Sequence, residues 1–134
     1  MRWQDTVLVG APFDASFDSG VLSVGCVQLR ILSDSGEDVR AVTPEGAAFR
    51  LRKVSLTVNR YEASCDGREY EANRTRGSRR EIRNAEGSIV ARTRAHLDGS
   101  LEVDLAGTPA PEVDVGFITW ALTYVDTPGR RTKR

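Results

Sequence analysis

The amino-acid sequence predicts a mainly β protein in which an antiparallel β-barrel, or a strongly curled sheet, wraps around an apolar C-terminal α-helix. Three observations predict this fold class. Apolar and polar residues alternate along several segments, as in strands with one face in water. Turn-forming pairs such as Asp98-Gly99 separate these segments. A long apolar segment near the end of the chain follows Pro109 and Pro111.

The strand segments follow one another closely along the chain of 134 residues. Alternation is clearest in four segments: 27–31, 49–52, 54–58 and 101–105. Four turn sequences are predicted to close hairpins: Asp66-Gly67, Gly77-Ser78, Asn84–Gly87 and Asp98-Gly99. Residues 47–106 should therefore form a meander with short connections. Three further strands are expected in the first 45 residues: Thr6–Val9, Val21–Leu32 and Val39–Val42.

Residues 111–126 are predicted to form a helix. Proline at the start, acidic residues in the first turn and a Pro-Gly pair after the segment are typical of helix boundaries. At about 100° per residue, apolar side chains cover well over half of the circumference. We expect seven of them to contact the core: Val113, Phe117, Ile118, Trp120, Ala121, Tyr124 and Val125. A pair of buried strands is the alternative, because Val and Thr are mediocre helix formers.

A helix that is apolar on most sides has to be covered on most sides, and only the sheet can cover it. The length suits a single β-rich domain, which we place at residues 1–129. Residues 130–134 carry four basic side chains and are expected to form a disordered tail. No secretory signal and no membrane-spanning segment is expected, so a cytoplasmic location is the prediction.

The second half of the chain resembles the tubby-C-terminal-like group, which includes LURP-one-related and phospholipid-scramblase-like proteins. The resemblance covers roughly residues 68–126 and lies in the order of its features: Asn84–Gly87 followed by Ser88–Arg92, the Asp98-Gly99 hairpin, Leu101–Leu105 and an apolar helix that ends at Asp126. It implies a barrel around the helix and an anionic ligand such as a phosphoinositide. No acidic calcium-binding segment like that of scramblases is present, so lipid translocation is not implied.

A pleckstrin-homology-like fold is the alternative architecture. That fold has seven strands and a C-terminal helix that caps the barrel, often with a tryptophan, which Trp120 would supply. It too is often associated with phosphoinositides or other anionic ligands.

A cluster of basic residues surrounds the predicted Gly77-Ser78 turn. Its five arginines are the candidate anion-binding residues: Arg74, Arg76, Arg79, Arg80 and Arg83. Guanidinium groups suit phosphate because they donate two parallel hydrogen bonds. The predicted partner is a phospholipid headgroup or an acidic protein. Nucleic acid is not expected, because 19 basic residues balance 19 acidic ones and aromatic residues near the turn are scarce.

Two other functions remain open from the sequence. The chain could be an interaction or scaffold domain that uses a strand edge or the apolar Phe13–Phe17 segment. A small enzyme with a site around His96, the only histidine, is the more distant alternative. No catalytic motif, metal site or cofactor is predicted. Cys26 and Cys65 are expected to be free thiols, with Cys65 on a loop where it could be exposed.

Overall fold

The computed structural model describes residues 1–57 and 59–127, which form twelve strands followed by one helix. The strands of the first half are β1 (Arg2–Gln4), β2 (Val7–Val9), β3 (Ala15–Asp18), β4 (Val21–Val24), β5 (Val27–Ser35) and β6 (Asp38–Val42). Those of the second half are β7 (Ala48–Lys53), β8 (Arg60–Cys65), β9 (Arg68–Arg76), β10 (Arg79–Asn84), β11 (Ile89–Ala95) and β12 (Leu101–Leu105). The helix α1 spans Glu112–Asp126.

The twelve strands form one closed antiparallel barrel in chain order. Strand β1 closes the ring by pairing with β12 through Arg2 opposite Glu102 and Trp3 opposite Leu101. The predicted barrel with a C-terminal helix is therefore confirmed, and the seven-strand pleckstrin-homology alternative is wrong. Each described strand has a neighbour on both sides, so the described barrel has no open strand edge. In the other segment considered for an interaction, Phe13 and Phe17 are partly buried against the core.

The helix α1 is enclosed by the barrel. All of its residues from Asp114 to Tyr124 are buried, so no face of this stretch is left to water. The seven predicted core residues are buried or, for Val113 and Val125, partly buried against the core. The indole Nε1 of Trp3 donates a 2.8 Å hydrogen bond to Thr119 Oγ1, which ties the closing strand to the helix. The alternative of two buried strands for residues 111–126 is wrong.

The two ends of the barrel contain different ion pairs between α1 and the strands. We call the lower end the one where α1 begins; there Asp114 contacts Arg68, next to the β8–β9 hairpin. We call the upper end the one where α1 ends; there Asp126 contacts Arg80, close to the β9–β10 hairpin. Because the strands are antiparallel, the β7–β8, β9–β10 and β11–β12 connections all lie at the upper end.

The strand expectations needed three corrections. Residues 54–57 of the alternating segment 54–58 do not form a strand: β7 ends at Lys53 and β8 begins at Arg60. Ser55 Oγ donates to Thr57 O at 2.6 Å, a local bond of the kind that competes with strand pairing. Strands β1 and β3 were not expected, and β4 and β5 divide the predicted Val21–Leu32 strand.

The predicted hairpins are confirmed, and their turns differ in backbone conformation. Asp66 and Gly67 both have positive φ, 53° and 85°, as a type I′ turn requires. At Asp98-Gly99 only Gly99 has a positive φ, and His96 O accepts the Gly99 N–H at 3.1 Å. Val58, the Pro128-Gly129 stop and the basic tail at 130–134 lie outside the described residues.

Candidate anion-binding surface

The five arginines predicted around Gly77-Ser78 do not form one exposed cluster. Alternation along β10 places Arg80 on the same side as the buried Ile82, whereas Arg79 and Arg83 lie on the other side. The arginines therefore divide between the barrel interior and its outer wall.

Arg80 is buried and structural, with only 1% of its side chain exposed. Its Nε and Nη2 atoms donate to the two carboxylate oxygens of Asp126 at 2.7 and 2.9 Å. Its Nη1 donates to backbone oxygens of Asn59 and Ala72 at 3.3 Å, and its guanidinium lies 5.2 Å from the centre of the Tyr61 ring. The structure therefore places this predicted ligand-binding residue inside the barrel, where an external anion has no access to it.

Arg74 lies opposite Arg80 in the β9–β10 pair, and its side chain lies between the barrel interior and the outer wall. Its Nη2 is 3.8 Å from an oxygen of Asp126, while 34% of its side chain is exposed. Arg83 lies on the outer wall, where it donates to Glu81 at 2.9 Å and to the Gly87 carbonyl oxygen at 2.7 Å. Both charges are thus partly offset by neighbours within the protein.

Arg76 and Arg79 are exposed, and they lie opposite each other at the end of the β9–β10 hairpin. Arg94 of β11 lies opposite Arg79 on the other side and is exposed too. Among the described residues, none of these three arginines has a carboxylate within 4.0 Å. We call Arg76, Arg79 and Arg94 the arginine row.

Like charges lie directly opposite each other in the arginine row, as they also do at Arg40 and Arg50, which share the Asp38 carboxylate. Directly opposed residues on adjacent strands have Cβ atoms about 5 Å apart, where like charges are destabilising. The next row toward the lower end alternates in sign: Glu81 lies opposite Arg92, which lies opposite Asp104, and Arg92 Nε is 3.7 Å from Glu81. An anion bound at the arginine row would remove a repulsion that the neighbouring row avoids.

Glu102, the residue that follows Arg94 in this row on the next strand, already has other partners. Glu102 lies opposite Arg94, whose charge acts on it from beyond 4.0 Å, while its Oε1 is 2.8 Å from His96 Nε2 and 4.0 Å from Arg2. The hydrogen bond from His96 lowers the pKa of Glu102, so this carboxylate stays ionised at neutral pH. His96 therefore belongs to a surface pair on the outer wall.

The remaining candidates for catalysis or metal binding are a second carboxylate near His96, a metal-binding group and the two cysteines. Asp98, the nearest second carboxylate to His96 in sequence, accepts hydrogen bonds from the Ser100 backbone N–H and hydroxyl. Among the described residues, no His, Cys, Asp and Glu side chains form a group that could hold a metal ion. Cys26 and Cys65 are both free; the expectation that Cys65 could be exposed is wrong, because it is fully buried.

Sequence reasoning missed Arg94, because it is 15 positions from Arg79 along the chain. The two residues meet through the β10–β11 register, which includes a β-bulge between Ile82 and Arg83. Counting back from the predicted Asn84–Gly87 hairpin would have indicated that β11 brings a basic residue to this level. The signal for Arg80 was the apolar Ile82 two positions later, since residues two apart share a face of a strand.

Within residues 1–57 and 59–127, no helix has the length and apolar character needed to cross a membrane. Comparisons with protein-family models, with curated proteins and with solved structures gave no match to this chain.

Proposed function

We propose that this chain is a non-catalytic binding module that holds a phosphate-bearing anionic ligand, a phospholipid headgroup, at the arginine row. The observation that carries the proposal is the alignment of Arg76, Arg79 and Arg94 on three adjacent strands, with no carboxylate of the described residues within 4.0 Å of their guanidinium groups. Guanidinium forks from adjacent strands can donate to different oxygens of one phosphate group.

The surroundings of the arginine row favour a headgroup over a nucleic acid. Binding of single-stranded nucleic acid uses exposed aromatic side chains on which bases stack. Tyr61 and Tyr70, the aromatic residues of the adjoining strands β8 and β9, are both buried. A ligand at the arginine row would therefore meet guanidinium groups without a stacking platform.

The architecture supports the same proposal. A closed barrel around a C-terminal helix is what the resemblance to the tubby-C-terminal-like group implies, and we keep that kinship as part of the proposal. A cytoplasmic location belongs to it as well: the cytoplasmic leaflet is the anionic one, and both cysteines are free thiols, as a reducing compartment would leave them.

The test is binding of the full chain to vesicles of phosphatidylcholine with and without phosphatidylserine, measured by flotation at several salt concentrations. We expect binding that needs the anionic lipid and weakens steeply with salt. The combined variant Arg76→Gln, Arg79→Gln, Arg94→Gln should bind roughly 100-fold more weakly, since each arginine near the surface contributes about one factor of five.

A matched control removes the same charge elsewhere on the barrel. Arg30, Arg40 and Arg52 are exposed residues of β5, β6 and β7, and their combined change to Gln leaves the arginine row intact. This control should lose much less affinity than the row variant. Equal losses in the two variants, or no binding to anionic vesicles at low salt, would refute the proposed function.

A further inference from the structure

Two leucines of the upper end are fully exposed. Leu56 lies in the β7–β8 connection and Leu97 in the β11–β12 hairpin, with relative exposures of 101% and 109%. Single exposed apolar residues are common on soluble proteins. Their position relative to the arginine row is what makes this pair informative.

The barrel order places the arginine row between the two leucines. Around the upper end, the β7–β8, β9–β10 and β11–β12 connections follow one another, and the middle one carries Arg76 and Arg79. Neighbouring strands are about 4.8 Å apart, so the outer two connections are separated by about 19 Å measured perpendicular to the strands. Apolar tips therefore flank a cationic centre on one half of the upper end.

The other half of the upper end carries an excess of acidic residues. Its connections between β1 and β2, β3 and β4, and β5 and β6 are bordered by or contain five of them: Asp5, Asp18, Asp34, Glu37 and Asp38. Two of these five have cationic partners, since Glu37 lies 3.6 Å from Lys53 and Asp38 pairs with Arg40 and Arg50. In the apolar and cationic half, the acidic residues at the same level are each engaged within the protein: Asp98 accepts hydrogen bonds from Ser100, Glu102 pairs with His96, and Asp126 pairs with the buried Arg80. An anionic surface would attract one half of this end and repel the other.

We propose that the β7–β12 half of the upper end docks on an anionic lipid bilayer, with Leu56 and Leu97 inserted among the acyl chains and the arginine row on the headgroups. This inference rests on the proposed function and adds a membrane surface, and an orientation, to headgroup binding. The combination of apolar side chains with cations is what binds proteins to membrane interfaces. The acidic half tilts away from the bilayer, so the barrel axis lies oblique to it.

The first test removes the apolar tips. In flotation with phosphatidylcholine–phosphatidylserine vesicles, Leu56→Ser and Leu97→Ser should each weaken binding about tenfold or more, as expected for loss of a buried leucine. Leu32→Ser is the matched control, because Leu32 is 58% exposed on β5, outside this half of the end. It should bind like the parent chain. Both leucines are fully exposed, so their substitution leaves the core intact.

The second test detects insertion directly. A tryptophan introduced as Leu56→Trp or Leu97→Trp should be quenched by vesicles that contain bromine-labelled acyl chains. The native Trp3 and Trp120 are buried at 0% and 2% exposure, so they should stay out of reach of this quencher. Leu32→Trp serves as the control and should not be quenched.

The outcomes separate this inference from the proposed function. Binding that depends on the arginine row but not on either leucine, without quenching, overturns insertion and leaves headgroup binding standing. Equal binding of glycerophosphoserine and of vesicles would identify a soluble phosphate ligand and would likewise overturn the membrane inference. Binding that is unchanged when Arg76, Arg79 and Arg94 are replaced overturns both the membrane inference and the proposed function. A leucine dependence that persists on uncharged phosphatidylcholine vesicles overturns the charge-directed orientation.

Discussion

The guanidinium of Arg80 and the carboxylate of Asp126 form a two-pronged ion pair at the upper end of the barrel, with 1% and 4% of these side chains exposed. Asp126 is the last residue of α1, where the helix dipole disfavours a negative charge, and no basic residue of the helix itself lies in its last turn. The barrel wall supplies the compensating cation. Arg80 therefore fixes the end of the enclosed helix.

Removal of Arg80 should strongly destabilise the protein. We expect Arg80→Met to lower the free energy of unfolding by about 3–5 kcal/mol, because it leaves the buried Asp126 carboxylate without its main partner. Urea unfolding followed by circular dichroism measures this change. The neighbouring Arg79→Met, on the outer wall, is the control and should change stability by no more than about 0.5 kcal/mol.

The double variant Arg80→Met, Asp126→Asn checks the cause of that loss. Removal of the unpaired charge should recover part of the stability lost in Arg80→Met. A loss in Arg80→Met no larger than in Arg79→Met would contradict the structural role of this ion pair.

Gly116 allows α1 to approach strand β4 closely. A Cβ atom at this position would lie 2.7 Å from Cγ2 and 2.8 Å from Cγ1 of the buried Val24. Gly116→Ala should therefore destabilise the protein by about 1–3 kcal/mol from overpacking, even though alanine is the better helix former by about 1 kcal/mol. Thermal and urea unfolding measure the net effect.

The packing explanation for Gly116 can be isolated by a second substitution. Val24→Ala removes both γ-carbons, so the double variant Gly116→Ala, Val24→Ala should lose less than the sum of the two single variants. Additive losses, or a Gly116→Ala variant more stable than the parent chain, would show that the contact with Val24 does not limit this position.

The sequence predicts those parts of the fold that depend on local patterns. The hairpins from β8 to β12 and the helix could be located because alternation, Asp-Gly and Asn–Gly turns and proline boundaries act within a few residues. Strands β1 and β3 have only three and four residues and lack the continuous apolar run that makes the equally short β2 recognisable. Ring closure depends on β1 meeting β12 nearly 100 positions away, and no local pattern records it.

The candidate site was predicted only as a region for the same reason. The run from Arg74 to Arg83 is basic in sequence, but β pairing decides which side chains share a face. Asp126, 46 positions from Arg80, is the partner that accounts for its burial. Strand pairing, in turn, brings Arg94 beside Arg79. Clustered basic residues in the sequence therefore identify the β9–β10 hairpin as the candidate site, whereas the register of the strands determines which arginines lie together on its surface.

The hydrogen bond from Tyr70 to Asp114 should make stability depend on alkaline pH. Burial raises the pKa of the Tyr70 phenol well above its usual value, and the Asp114 carboxylate raises it further. A raised pKa in the folded state means that Tyr70 contributes stability fully below about pH 10, and that this contribution declines as the pH rises further. Tyr70→Phe should cost about 1–3 kcal/mol at pH 7, because Asp114 loses a donor.

Unfolding measured between pH 7 and 11 tests this sign. The stability difference between the parent chain and Tyr70→Phe should be constant to about pH 9 and should shrink above pH 10. Tyr61→Phe is a useful comparison, since burial also raises the pKa of Tyr61, whose hydroxyl donates to the Gly36 carbonyl oxygen. A difference for Tyr70 that grows with pH would contradict the assigned interaction.

The two thiols should report on how the barrel opens. Cys26 is exposed at the β4–β5 turn, whereas Cys65 is fully buried at the end of β8, and burial raises the pKa of its thiol. With Ellman's reagent in native buffer, one thiol per chain should react rapidly, and Cys26→Ser should abolish that fast reaction. Cys65 should react only as the structure opens, because both access and thiolate formation are suppressed.

The slow reaction of Cys65 in the Cys26→Ser variant then shows how much of the structure has to open before this thiol can react. If the closed ring and its enclosed helix open together, the rate should rise with urea with the same dependence as global unfolding. Arg80→Met should accelerate it in proportion to its loss of stability. A rate that is fast in native buffer, or independent of urea, would mean that β8 separates from the helix without global unfolding, and that the ring is weaker there than its continuous pairing indicates.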